Sequence, residues 1–308
     1  MKRKARLLIT FTLLSALSQT SGFAQGEQKP AGNFRVYDSS GKVVTLDDVV
    51  DAMSGAEVVL IGESHNDRVA HEIESELLQR AAARYSLNGG ASTARQVILS
   101  MEMFERDVQT TLDEYLGGLI LERQFISDSR PWSNYQSDYR PLIEFARSNK
   151  LPVIAANAPG RYANRASRMG RGSLLTLSQQ AKAWLAPLPY GEASAAYAAK
   201  FNRVMEGMPA GHQMNKQYLL DAQVLRDATM AHAIAQNLNT VKKALVLHVT
   251  GIFHVEGRMG VPEQLEAYRP RTRAIVVALI PAAEAPAINP ESLKRIGDFV
   301  IVTGAAGQ

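Results

Sequence analysis

Cysteine is absent from all 308 residues. That one absence excludes disulfides, iron–sulfur ligation, a thiol nucleophile, CxxC-type zinc sites and a lipidated N-terminal cysteine. Beyond the N-terminus no apolar run approaches about 18 residues, so no membrane span is expected. Charge of one sign is scarce too. The 34 Lys and Arg face 30 Asp and Glu, and Lys2, Arg3, Lys4 and Arg6 account for the whole excess. With a neutral body and no basic stripe interleaved with aromatics, nucleic acid is not an expected partner. There is no Ser/His/Asp elbow and no phosphate loop: Gly170–Ser173 lacks a strand before it and a Lys after it. What remains is ordinary globular usage, 46% hydrophobic and 21% charged. One large domain fits this length.

The first segment reads as an address. A basic start precedes an apolar run from Leu7 to Leu17, then small and polar residues up to Ala24. This is the order of a secretory signal cleaved after Ala24, with a run too short to span a bilayer comfortably. The expectation is an exported, soluble, periplasmic protein without a lipid anchor. Residues 25–33 read as a disordered linker, and 34–308 as one α/β domain.

Along that domain, Phe34–Tyr37 and Lys42–Leu46 flank a turn and predict a hairpin. A short helix is expected at Asp47–Met53. Strand-length apolar runs follow at Val58–Ile61, Val97–Met101, Pro152–Ala156, Leu245–Val249, Ala274–Ile280 and Asp298–Val302. Helical periodicity separates them, over about 68–84, 105–117, 140–149 and 215–238. Strands apolar on both faces and alternating with helices predict an α/β fold, a mainly parallel sheet flanked by helices. Residues 160–240 break the rhythm. Helical signals at Ser178–Leu185, Ala193–Met205 and Lys216–Asn237, with no strand, predict a smaller helical subdomain inserted between two sheet strands.

Chemistry in an open parallel sheet gathers beyond the carboxyl ends of its strands. Glu63 and His65 follow the first apolar run, Glu102 and Glu105 the second, Asn157 the third and His254 the fourth. Gly62 and Gly251 are expected to make tight exit turns that aim His65 and His254 at a common centre. Two GxxH units, each after a strand, have the ingredients of a metal site with a carboxylate acid/base, or of proton transfer without metal. Of the other histidines, His71, one position off the Val69–Ile73 face, is expected at the surface. His232 is expected to pack or cap, and His248 to be a core residue. Met205, Met208, His212 and Met214 have the donor types for Cu(I), although Met more often fills irregular helix packing. Tyr162, Tyr190, Tyr197 and Tyr218 fall in the helical insert, and tyrosinate is a known ferric-haem ligand.

These residues resemble the ChaN-like haem-binding uptake proteins, part of the Tiki superfamily. The resemblance rests on VVLIGESHN (58–66), MEMFERDVQTTLDEYLGG (101–118), PWSNYQSDYRPLIEFARSNKLPVIAANAP (131–159), AQVLRDATMAHAIAQNL (222–238) and GIFHVEGRMGVPEQL (251–265). It implies a parallel sheet with flanking helices and a small helical bundle, export, and a role in haem-iron acquisition with outer-membrane haem-uptake machinery as a partner. It also implies a homodimer holding two cofacial haems. There, each iron is bound by one Tyr, while a His and a Lys of the other subunit meet the propionates. Tyr197 and Tyr218 are the iron-ligand candidates here, with His212 and Lys216 for the propionates. The wider superfamily includes metal-dependent proteases with paired GxxH motifs. By that likeness His65 and His254 would bind a divalent metal, with Glu63 and Glu102 as further ligands or as the base of a hydrolase. Haem binding, a metal hydrolase and copper handling are therefore the three readings carried forward.

Overall fold

The computed structural model describes residues 33–87, 94–206 and 215–304. Eight strands make one sheet: β1 Phe34–Asp38, β2 Val43–Val44, β3 Val58–Glu63, β4 Gln96–Glu105, β5 Val153–Asn157, β6 Ala244–Gly251, β7 Ala274–Pro281 and β8 Phe299–Thr303. Their spatial order is β2-β1-β8-β7-β3-β6-β4-β5. Every pair from β8 to β5 is parallel, and β1 joins β8 and β2 antiparallel at one edge. The α/β, mainly parallel sheet expected from the alternation of apolar runs and helices is what forms.

Among the described residues, eleven α-helices accompany it: α1 Leu46–Ala52, α2 Arg68–Ala82, α3 Gln109–Leu116, α4 Glu122–Ser129, α5 Arg140–Ser148, α6 Gly160–Met169, α7 Gln179–Lys182, α8 Ala195–Glu206, α9 Lys216–Thr240, α10 Val261–Tyr268 and α11 Pro290–Lys294. Strand alternation sorts the core into two layers. Val59, Ile61, Leu99 and Leu247 pack with Ile73, Leu77, Leu112 and Leu142 on one face of the sheet. Val58, Leu60, Ile98 and Val246 pack with Met230, Ile234 and Leu265 on the other. Successive side chains of a strand point to opposite faces, so a strand that is apolar throughout needs helices on both. From residue 160 to 240 the described chain is helical and holds no strand. Its own apolar cluster includes Leu174, Tyr190, Tyr197, Val224 and Leu225.

Three local expectations are corrected. The second hairpin strand is only Val43–Val44, because Thr45 turns away to cap α1, its hydroxyl accepting from the Asp48 N–H while Asp48 answers Thr45 N–H at 2.7 Å. β4 runs on to Glu105, so Glu102 lies inside the strand. A register shift between Met101 and Glu105 marks a bulge there. α4 was not foreseen; its apolar positions, Phe125 chief among them, are too few over one polar two-turn stretch to register as a period.

Candidate functional site

Three adjacent strands, β3, β6 and β4, end side by side, and the polar residues that leave their carboxyl ends meet there. Glu63 is the last residue of β3 and is buried. Its Oε1 accepts the Tyr139 hydroxyl at 2.8 Å and lies 2.8 Å from His65 Nδ1. Its Oε2 lies 2.9 Å from Nδ1 of His71, in the first turn of α2. Asp67 starts that helix by accepting the Val69 and Ala70 N–H groups, which sets His71 over Glu63.

Glu102 anchors the second half. Its Oε2 accepts the Thr250 hydroxyl at 2.6 Å and the Gly251 N–H at 2.9 Å, and its Oε1 lies 3.3 Å from His254 Nε2. The other ring nitrogen of His254 meets Asp227 of α9 at 2.6 Å. Asp227 also accepts the Tyr197 hydroxyl, so the helical layer is tied to the sheet by one buried polar chain. His65 lies between the halves, and its side chain is 41% exposed while Glu63 is buried. A Cβ on Gly251 would fall 2.8 Å from His65 Cε1, so glycine is what lets that ring lie against β6. Trp132 meets the same ring edge-on at 4.7 Å.

Electrostatics follow from this geometry. Burial raises the cost of charge on Glu63, but hydrogen bonds from His65, His71 and Tyr139 outweigh it and hold its pKa below the usual value. Glu102 is likewise buried yet kept well below the carboxylate range, chiefly by His254. Burial opposes charge on His254, but Glu102 and Asp227 lift its pKa to about 10. Burial also opposes charge on His65, and Glu63 and Glu102 raise it nonetheless. The outcome is a buried carboxylate–imidazole network with one imidazole reaching solvent, able to accept or donate a proton at the rim.

Of the residues singled out by sequence, Glu63, His65, Glu102 and His254 come to this rim. They pair off there, His65 with Glu63 at 2.8 Å and His254 with Glu102 at 3.3 Å. Among the described residues, the group whose ligand atoms all lie within 4.8 Å of one another is Glu63, His71 and Glu74. His71 is therefore a correction: it is buried, not surface-exposed. α2 buries more than one stripe, and His71, Glu74 and Leu78 lie on that second face. Asp227 was also missed, and nothing about its spacing marks it out. The exit-turn role of the glycines is corrected as well. Gly62 and Gly251 are strand residues with ordinary backbone, and what they supply is close approach: a Cβ on Gly62 would fall 2.5 Å from Val255 Cγ2.

The cofactor candidates separate. Tyr197 is buried with its hydroxyl committed to Asp227. Tyr218, in the first turn of α9, is half-buried with its ring against Gly170, and Lys216 is exposed. His212, Met208 and Met214 lie outside the described residues, and Met205 packs against the helical layer's apolar cluster. His232 packs edge-on to Tyr268, and His248 is buried with Nδ1 2.9 Å from the Ser100 hydroxyl. No described helix is long and apolar enough to cross a membrane.

The family model of haem-binding uptake proteins, Tiki superfamily, ChaN, matches residues 49–265. Among solved structures, the fold is similar to that of ChaN of Campylobacter jejuni, described with cofacial haem binding. The TM-score is 0.64 at 16% identity, over 88% of this chain and 96% of that one. The type III effector HopBA1 is a more distant likeness, with a TM-score of 0.44 at 11% identity over 89% of this chain and 98% of that one. A search of curated proteins gave no match.

Proposed function

The chain belongs to the haem-binding uptake family of the Tiki superfamily that includes ChaN, and from that premise we propose that it is an exported protein of haem-iron acquisition that holds haem on its helical layer through Tyr218. The observation that carries the choice of residue is the setting of that ring. It lies against Gly170, next in sequence to Met169, which is 53% exposed. An apolar side chain open to solvent beside a half-buried tyrosine suits the face of a porphyrin, and tyrosinate suits ferric iron. Leu175 and Val204 are also solvent-open on the same helical layer, an apolar surface that a second copy carrying its own haem would cover.

Bound haem supplies the iron and two propionates; the chain supplies their holders. α6 and the turn after it carry Arg161, Arg165, Arg168 and Arg171 with no acidic residue among them. Among the described residues, Arg168 meets the Asn164 amide oxygen, at 2.9 Å, and no carboxylate. Arg168 and the exposed Lys216 thus fit carboxylates. Tyr197 does not fit, since its hydroxyl donates to a buried carboxylate.

Haemin titration of the purified protein, followed from the Soret band through the visible, tests this reading. Saturable binding with a tyrosinate charge-transfer band, lost in Tyr218→Phe and kept in Tyr197→Phe, is the expected result. A broad, unsaturable spectrum of free haemin, or a band that survives Tyr218→Phe, sinks it.

A second reading has its own observation. The exposed imidazole of His65, flanked by buried Glu63 and Glu102, would suit the base of a hydrolase. Peptide cleavage by the wild type that disappears in His65→Ala would favour it; haem binding unaffected by that change would keep the two readings apart.

A further inference from the structure

Beneath His65 lies a second polar centre that the haem reading does not use. We propose that Glu63, His71 and Glu74 form a buried binding site for one divalent transition-metal ion, of which Zn2+ is the probe. The ligand atoms of all three lie within 4.8 Å of one another, and all three residues are buried. One imidazole nitrogen with carboxylate oxygens is a donor set suited to such ions.

The hydrogen bonds around the centre give it a direction. The Nε2 side of His71 is occupied: it lies 3.3 Å from the His65 carbonyl oxygen, with the Asp138 carboxylate at 3.6 Å. A ligating histidine ordinarily donates its remote N–H to such a carbonyl or carboxylate, which leaves the other nitrogen free to bind. That other nitrogen, Nδ1, faces carboxylate oxygens on two sides, Glu63 at 2.9 Å and Glu74 at 3.4 Å. Tyr139 secures Glu63 in turn, donating to the oxygen that does not face His71.

Two carboxylates around one imidazole in a dry interior need something positive among them. A proton on Nδ1 answers part of that need, but it leaves Glu74 Oε1 buried without any hydrogen-bond partner, and Glu63 Oε2 without an aligned one. Orphaned buried carboxylate oxygens are costly and rare. A cation at the centre would give both carboxylates a positive partner, and three protein donors leave it a fourth position.

The test is Zn2+ titration of the whole protein, stripped with a chelator, by calorimetry and by thermal melting, with no haem present. One Zn2+ per chain and a rise in Tm are expected. Both should be lost in Glu74→Gln, which keeps the side-chain volume, and in His71→Gln. His232→Gln, on α9, whose Met230 and Ile234 pack on the other face of the sheet, should retain them. Near-UV circular dichroism checks that each variant is folded. If Glu74→Gln is folded and still binds Zn2+ like the wild type, or if the wild type binds neither Zn2+ nor Mn2+ saturably, the proposal is overturned. Because haem is absent throughout, this result is independent of whether Tyr218 binds haem.

Discussion

His254 Nδ1 and Asp227 Oδ1 are 2.6 Å apart, one from the turn after β6 and the other from the middle of α9. This contact fastens the helical layer to the sheet at the rim where the candidate site lies. Both partners are buried, and removing Asp227 leaves the His254 imidazole with Glu102 as its one remaining carboxylate among the described residues. Asp227→Ala is expected to destabilise the fold by about 3–5 kcal/mol in urea melts, and Asp227→Asn by less. A loss under about 1 kcal/mol would mean the contact contributes little. Histidine pKa values run the same way. Folded His254 keeps its proton to about 10, whereas an unfolded one releases it near 6.5. Its contribution is complete below that lower value and drains away as pH rises through 10. The alkaline loss of stability should shrink in Asp227→Asn.

His248 carries the opposite sign. It is fully buried between Ser100 and the β6 neighbours, and burial pushes its pKa down to about 4. Its Nε2 has no hydrogen-bond partner, so it has little to gain from a proton. Above pH 6.5 the ring is neutral folded or unfolded and contributes nothing to pH dependence. Between 6.5 and 4 the unfolded chain takes up a proton the folded one refuses. That costs up to about 3 kcal/mol across the window. His248→Asn should flatten the acid limb of stability against pH, and an unchanged limb would assign acid lability to other groups.

How much of this was legible in the sequence depended on which residues advertise themselves by position. Val58–Ile61 is apolar throughout and Leu245–Val249 is interrupted by His248 alone, and that pattern suits a buried parallel strand, so the sheet was readable. Glu63, His65, Glu102 and His254 were readable because they follow such runs. His71 and Glu74 were not, since a polar residue on a helix is ordinarily solvated, and only the packing of α2 against the sheet buries both of its stripes. Asp227 stands in the middle of α9 and is useful only because the turn after β6 brings His254 to it, a contact 27 residues away in sequence. Glu102 was expected after its strand; the bulge that keeps it within β4 depends on pairing with β5, which no local pattern records.

At the rim itself, Gly251 decides where His65 can lie. A methyl there would fall 2.8 Å from His65 Cε1 and 2.9 Å from Nε2, inside any normal contact. The obstacle is the end of a side chain that is partly exposed, so the ring should swing outward and the fold should survive. Gly251→Ala is therefore expected to cost no more than about 1–2 kcal/mol. It should also break the 2.8 Å contact between His65 and Glu63 and return the His65 pKa towards its ordinary value. Proton NMR of the imidazole through a pH titration would show it. An unmoved His65 resonance would mean the glycine serves the strand and not the ring.

The haem reading stands or falls with the setting of Tyr218, and Gly170 controls that setting. Gly170 has φ 75° and ψ 166°, a region open essentially to glycine alone, and an added Cβ would lie 2.8 Å from the Tyr218 ring. Backbone strain of about 1–3 kcal/mol therefore comes with displacement of the ring. Gly172, two residues on in the same turn, has no atom within 4 Å of its Cβ position and no positive φ. Alanine at 170 and at 172 thus add the same methyl to the same turn with different consequences. Gly170→Ala should lower the melting temperature and weaken haemin binding together, while Gly172→Ala should leave both alone. If Gly170→Ala melts lower but binds haemin with wild-type affinity and spectrum, the ring it displaces is not the one that holds the iron.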